Sequence, residues 1–325
     1  MTIEATSAFS ARTLGRTGLQ VSPIGLGVMQ FSGGSGLFGL AFPDLSERER
    51  AEIVGAALDG GVNWFDTAEI YGFGRSERRL ARALRANGMR DDQVIIASKW
   101  FPLLRTSRNI PKTIGRRLEN LQEYSIDLYY VHQPYSLSSV DAQMDAMARL
   151  VDAGEIGAVG VSNFDEKRMR QAHATLAKHG LPLAANQVQY SLMERSIERD
   201  GVLDAAEELD ITIVAYSPLA KGLLSGKYHR HPELLAQKGR LASMGLQRDL
   251  ARSRPIVEAL EEIATIHEAT PAQVALSWII SFHGERVVAI PGATSVEQAS
   301  QNAGAMALDL ASTELDRLDA LSKEF

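Results

Sequence analysis

The run Asn63-Trp64-Phe65-Asp66-Thr67-Ala68-Glu69-Ile70-Tyr71-Gly72 decides how the rest of the chain is read. An apolar stretch over 62–65 stops at Asp66, and Tyr71 follows beside a glycine, the pattern of a strand that delivers polar groups at its tip. Two further tips follow. Lys99 comes after the apolar run 94–97, and His132 after 128–131. Thirty-three residues separate Asp66 from Lys99, and the same number separates Lys99 from His132. That interval is about one strand-helix-strand unit, so the three side chains are expected at equivalent ends of three successive parallel strands.

The alternation continues on both sides. Helical patterns fall near 46–59, 76–87, 111–122, 139–153, 165–178 and 199–209, with strand-like runs between them at 62–66, 94–98, 126–131, 156–161, 183–188 and 211–215. In 139–153, Val140, Met144, Met147 and Val151 share a face, Ser138 with Asp141 resembles a capping box, and Gly154 ends the pattern. Adding 24–28 as the first strand and 286–290 as the last gives eight. Strict alternation to eight strands predicts a (β/α)8 TIM barrel with its chemistry at the C-terminal strand ends. An N-terminal β-hairpin is expected from 12–14 and 19–21 around Gly15-Arg16-Thr17-Gly18, with extra C-terminal helices near 296–306 and 312–323. Helices near 255–268 and 271–283 precede the last strand. Residues 1–325 read as one domain, with 1–11 expected to be disordered and 32–39 a glycine-rich loop beside the rim. The excursion 217–253 is too long for an ordinary connection, and a functional loop that covers a ligand is expected there.

A chain of 325 residues, 45% of them hydrophobic, can bury the core such a barrel needs. A net charge of -6 without a basic tract argues against a nucleic-acid partner. The absence of cysteine removes disulfides, thiol chemistry and the zinc patterns that require Cys. His229 and His231 are too few to form a metal centre, and no metal is expected. Residues 1–20 lack an apolar targeting core, and no run approaches the ~20 apolar residues of a membrane span. The expectation is a soluble, cytoplasmic protein with no membrane partner.

More polar groups arrive at later strand ends. Ser162 and Asn163 follow 156–161, Gln187 follows 183–186, and Tyr216 follows 211–215. Amides, a hydroxyl and an aromatic face suit a flat, amide-bearing ring better than a metal. Gly25-Leu26-Gly27 begins like a dinucleotide fingerprint, but Gln30 stands where the third glycine is needed.

Asp66, Tyr71, Lys99 and His132, taken with Gly160-Val161-Ser162-Asn163-Phe164, Gln187-Val188-Gln189-Tyr190, Tyr216-Ser217-Pro218-Leu219 and Ile290-Pro291-Gly292-Ala293, resemble the aldo-keto reductase superfamily. The long loop with Ser225-Gly226-Lys227-Tyr228 is similar to the branch that includes bacterial reductases and potassium-channel β subunits. The resemblance implies reduction of a small-molecule aldehyde or ketone by hydride from NADPH, or from NADH. It also leaves a different class open, a nicotinamide-binding regulatory subunit like those of the channels. The natural carbonyl and the oligomeric state stay open.

Tyr71 is the expected proton donor. A free phenol titrates near 10, so the cation Lys99 is expected to lower that value, Asp66 to hold Lys99 charged, and His132 to orient the carbonyl oxygen. By resemblance, Ser162, Asn163 and Gln187 hold the nicotinamide carboxamide and Tyr216 stacks on the ring. Ser217, Leu219, Gly222 and Leu224 would meet the pyrophosphate, and Gln298 and Asn302 would lie near the adenosine. Gly27, Met29, Asp66 and Gly292 join the cofactor-binding set. Met29, Phe31, Trp100 and Phe101 are the expected walls of the substrate pocket. Many family members carry basic residues where this chain has Gly292 and Gln298, which weakens the case for NADPH. In the long-loop branch Lys227, with Lys238 or Arg240, can approach the 2′-phosphate instead, so a moderate NADPH preference is expected.

Overall fold

The computed structural model describes residues 9–34, 43–237 and 240–325. Most of the segment expected to be disordered at the N-terminus, most of the glycine-rich loop, and Lys238 lie outside the described residues. A short antiparallel hairpin, β1 (Arg12–Thr13) and β2 (Gln20–Val21), comes first. Eight parallel strands follow: β3 (Leu26–Gly27), β4 (Trp64–Asp66), β5 (Ile95–Trp100), β6 (Leu128–Val131), β7 (Ala158–Ser162), β8 (Leu183–Gln189), β9 (Thr212–Tyr216) and β10 (Val287–Ala289). They pair in chain order, and parallel bridges Ile24 to Ala289 and Gly27 to Gly292 join the last strand to the first.

The helices are α1 (Glu47–Asp59), α2 (Arg75–Ala86), α3 (Ile110–Leu121), α4 (Val140–Asp152), α5 (Glu166–Ala177), α6 (Val202–Leu209), α7 (Lys227–Arg230), α8 (Arg240–Ile266), α9 (Pro271–Phe282), α10 (Val296–Gly304) and α11 (Ser312–Ser322). The curled sheet with surrounding helices is the (β/α)8 architecture that the alternation predicts. In α4, Met144 and Met147 are fully buried as the stripe requires, but the cap is Ser139, whose Oγ accepts from Ala142 N at 3.2 Å. The expected Ser138 box is therefore one residue out of register. α6 starts at Val202 rather than 199, because Gly201 turns left-handed (φ 83°) just before it.

The core has two layers. Trp64, Ala97, Leu128, Tyr130, Ala185 and Val214 fill the barrel interior, and Leu14 and Val21 of the hairpin join the same cluster. Gly15 sits against the start of β8, where a Cβ would come 2.7 Å from the Ala184 carbonyl oxygen, and its φ of 51° suits glycine. The hairpin thus plugs the N-terminal end and leaves the C-terminal strand ends as the mouth. A larger cluster lies between strands and helices.

The excursion after Ser217 is more ordered than a loop. It contains 3-10 helical turns at Ala220–Ser225 and Pro232–Gln237, the short α7, and a small apolar cluster of Leu223, Tyr228 and Leu235. Its second half belongs to α8, which runs for 27 residues straight through Pro255. Proline favours the first turn of a helix, so the sequence places the start there; the structure accommodates it inside. Among the described residues no helix is long and apolar enough to cross a membrane.

Candidate active site

Alternation along each strand selects which side chains enter the barrel. On β4, Trp64 and Asp66 point in while Phe65 joins the outer layer. On β5, Ala97 faces in and Trp100 out, which carries Lys99 inward. Asp66 and Lys99 meet as an ion pair between Lys99 Nζ and Asp66 Oδ1, with both side chains almost wholly buried. Lys99 Nζ also donates to the Thr67 carbonyl at 2.8 Å, and Gln187 Nε2 donates to Asp66 Oδ2 at 2.8 Å. Burial pushes the Asp66 carboxyl up and the Lys99 ammonium down, and each partner works against the other's shift through their contact.

Tyr71 lies over this pair, with Lys99 Nζ 5.2 Å from its ring centroid. Its phenol is raised well above the ordinary value, first by burial, then by Asp66 and Tyr216. The lowering expected from Lys99 does not appear: Lys99 is engaged by Asp66, and burial, Asp66 and Tyr216 all raise the phenol. Tyr71 holds its proton. His132 follows β6 and stands edge-on to Tyr71, with ring centroids 5.7 Å apart. Burial, then Lys99, lowers it to about 3, so its imidazole is neutral, and its Nδ1 has no protein partner among the described residues.

The next three strand ends carry neutral groups. Ser162 Oγ donates to the Gln187 carbonyl at 2.9 Å, Asn163 Nδ2 to Ser162 Oγ at 3.1 Å, and Tyr216 OH to Asn163 Oδ1 at 3.0 Å. Asn163 is left-handed (φ 59°), a conformation asparagine tolerates. Beyond Tyr216, Ser217, Ala220, Lys221 and Gly222 all have positive φ. Lys227 lies beside this turn, since a Cβ built on Gly222 would stand 3.2 Å from Lys227 Nζ. Leu219 is partly buried, and Leu224 is fully buried in the outer core.

At the seam, Gly27 N donates to the Pro291 carbonyl at 3.1 Å, and Asn302 Nδ2 to the Gly292 carbonyl at 3.3 Å. Gln298 Oε1 is taken by Thr294 N at 2.8 Å. Phe101 stands edge-on to His132 at 5.8 Å, and Met29 is partly exposed at the start of its 3-10 turn. Trp100 and Phe31 depart from the expected pocket. Both are buried in the outer layer, and Trp100 Nε1 donates to Asn109 Oδ1 at 2.9 Å. For Trp100 the cause is strand alternation: the neighbour of an inward Lys99 must point outward.

Sequence reasoning missed the ion network behind the site. Glu69, buried in the opening run itself, accepts from Phe101 N at 2.6 Å, Arg105 Nη1 at 2.6 Å and Arg117 Nη1 at 2.8 Å. Arg117 Nε pairs with Glu77 at 3.1 Å, and Glu77 accepts from Ser98 Oγ and Asn120 Nδ2, each at 2.8 Å. Burial raises the Glu77 carboxyl against Arg117, Asn120 and Ser98. A signal existed. Arg117 falls in the apolar stripe Ile110, Ile114, Leu121 of α3, and Glu77 on the Leu80, Leu84 face of α2. A charge on a buried stripe requires a partner.

Comparison with known proteins places the chain. The sequence profile of the Aldo/keto reductase family matches residues 23–323. An uncharacterized oxidoreductase of Mycobacterium tuberculosis is 40% identical over 306 residues, which cover 94% of this chain and 91% of the relative. An aldo-keto reductase of Schizosaccharomyces pombe, whose name specifies NADP(+), is 31% identical over 303 residues, 89% and 85% of the two chains. A crystal structure of a thermostable aldo-keto reductase in complex with the inhibitor epalrestat superposes with a TM-score of 0.76 at 32% identity, covering 96% of this chain and 99% of that one. The chain belongs to the aldo/keto reductase family and is an NAD(P)H-dependent oxidoreductase.

Proposed function

We propose that the protein reduces aldehydes or ketones to alcohols, with NADPH preferred over NADH and Tyr71 as the proton donor. The observation that carries this reading is the buried Lys99–Asp66 pair beneath Tyr71, joined through Gln187 to the neutral donors of the later strands. Those donors fit a nicotinamide: Ser162, Asn163 and Gln187 supply the donors and acceptors of a carboxamide, and Tyr216 supplies a π-face. Held there, a reduced nicotinamide would supply the hydride that a carbonyl reduction needs.

The chain's own residues handle the oxygen. Tyr71 gives its phenolic proton as the C=O oxygen becomes an alkoxide, so that the alcohol leaves neutral. Lys99 stabilises the phenolate left behind, and Asp66 holds the ammonium in position, until Tyr71 regains a proton from solvent. His132, kept neutral by burial, offers a ring N–H to the same oxygen. The left-handed turn from Ser217 to Gly222 and the adjacent Lys227 favour binding of the phosphates, with the segment 217–237 covering them. Lys227 also supports discrimination for the 2′-phosphate, while the Arg240 side chain lies outside the described residues. The partner is a small carbonyl compound, without nucleic acid or membrane, in the cytoplasm.

Oxidation of NADPH and NADH with a panel of aldehydes and ketones tests the reading. Turnover with several carbonyls, faster at low cofactor concentration with NADPH, is expected. Tight cofactor binding with no turnover of any carbonyl would contradict it.

A further inference from the structure

Two buried carboxylates bracket Lys99 along its own strand. Ser98 Oγ, one residue before it, donates to Glu77 Oε1 at 2.8 Å, and Phe101 N, two residues after it, donates to Glu69 Oε1 at 2.6 Å. Glu69 N also donates to the Lys99 carbonyl at 3.3 Å. Arg117 of α3 joins the two acids, reaching Glu69 through Nη1 at 2.8 Å and Glu77 through Nε at 3.1 Å. Both acids flank Tyr71 in sequence: Glu69 stands two residues before it, and Glu77 six residues after it in the first turn of α2. The groups that hold β5 around the ammonium therefore belong to the segment that carries the phenol.

Such a network is a poor device for stability alone. Taking charged side chains out of water offsets much of what their pairing contributes, and apolar residues of equal volume often hold a fold as well. The backbone above it is also strained. Gly72 (φ 65°), Phe73 (φ 54°) and Gly74 (φ 83°), directly after Tyr71, are left-handed in succession, and the exposed Phe73 adopts that conformation without a packing contribution to compensate. The turn presses onto the network: a Cβ on Gly74 would stand 2.2 Å from Asn120 Nδ2, the same group that donates to Glu77 at 2.8 Å. Within it, the Glu69 carbonyl accepts from Gly74 N at 2.9 Å and the Tyr71 carbonyl from Ser76 N at 3.1 Å. Burial lowers the Lys99 ammonium, and Glu77 works with Asp66 to raise it.

We propose that Glu69, Glu77 and Arg117 are positioning residues for the proton step: they lock the Tyr71 turn to β5 on both sides of Lys99 and so fix the phenol against the ammonium. None of the three meets the reacting atoms. The proposal rests on Tyr71 as the proton donor and adds what holds it in place.

The test is steady-state and single-turnover reduction of one aldehyde with NADPH by Glu69→Gln, by the double variant Glu77→Gln, Arg117→Met, and by Tyr71→Phe, each measured below its melting temperature. The double variant removes one charge of each sign, leaves Glu69 paired with Arg105, and keeps an acceptor for Ser98, so it stands as the measurement should Glu69→Gln not fold. In both positioning variants kcat and the single-turnover rate should fall about ten- to a hundredfold, since misplacement of reacting groups by about 1 Å has that effect. KM for the aldehyde and Kd for NADPH should stay within about threefold, the split expected when only the reacting geometry is lost. A lower melting temperature with the parent kcat would make the network merely structural and overturn the proposal. So would a loss confined to KM. Tyr71→Phe at the parent rate would instead remove the proton-donor reading itself.

Discussion

The two halves of the barrel mouth are built from different chemistry. After β4 and β5 the site is ionic, with Asp66, Glu69, Glu77, Lys99 and Arg117 all buried and paired. After β7, β8 and β9 it is neutral, a chain of Ser162, Asn163, Gln187 and Tyr216. Gln187 crosses between them. On the proposed function, fixed charges stand where a proton would move, since they stabilise a charge that exists only during reaction, and neutral donors stand where a flat ring would be held in either oxidation state. Mutations on the two sides should therefore fail in different ways.

The largest effect is expected on the ionic side. Lys99→Met should lower kcat by at least a hundredfold while cofactor affinity stays within a fewfold, measured by steady-state kinetics and titration. The same change strands the buried Asp66 carboxylate and should destabilise the fold by about 3–5 kcal/mol in denaturant unfolding. Asp66→Asn combined with Lys99→Met should recover much of that stability and none of the rate. A double variant as unstable as Lys99→Met would mean that the stranded Asp66 carboxylate is not the source of the stability loss.

Gln187→Leu comes next, because it touches both halves. A hydrogen bond to a charged group contributes about 1.5–3 kcal/mol, so about tenfold losses are expected in both cofactor affinity and kcat. Asn163→Ala should lose affinity alone. If Gln187→Leu also spared kcat, its bond to Asp66 would carry no part of the chemistry.

On the neutral side, Lys227→Ala should weaken NADPH about tenfold, leave NADH unchanged, and reduce the salt dependence of NADPH binding. Equal losses for both cofactors would place Lys227 at the pyrophosphate rather than the 2′-phosphate. Smallest of all is the effect of pH. His132 is lowered from 6.5 to about 3, so kcat should show no His-like limb between about pH 5 and 8. The linked stability has the opposite sign to a salt-bridged histidine: it is present above the unfolded value and lost as pH falls from about 6.5 towards 3. A kcat titration near 6.5 would show that His132 is charged in the working enzyme.

Much of this was legible in the chain. The eight strands, most helix limits and the meeting of Asp66, Lys99 and His132 follow from short apolar runs and equal spacing, because parallel strands in a barrel leave little freedom in register. What escaped was directional. Trp100 follows Lys99 in an apolar run, and only pairing within the closed barrel decides which of the two faces in. The same holds for Phe31, which packs outward from its 3-10 turn. Pro255 sits within α8 because tertiary packing, invisible to local propensity, overrides the break. The lowering expected for Tyr71 is opposed by burial of its phenol and by the nearby Asp66, neither of which local sequence reveals.

Tyr71→Phe tests the central claim most directly, because it removes one oxygen from the boundary between the two halves. Cofactor titration and single-turnover reduction of an aldehyde should be measured on the same preparation. The account predicts cofactor affinity within about twofold of the parent and a reduction rate lower by a factor of about 10² to 10⁴. Turnover at the parent rate, or a loss that appears entirely as weaker cofactor binding, would contradict it.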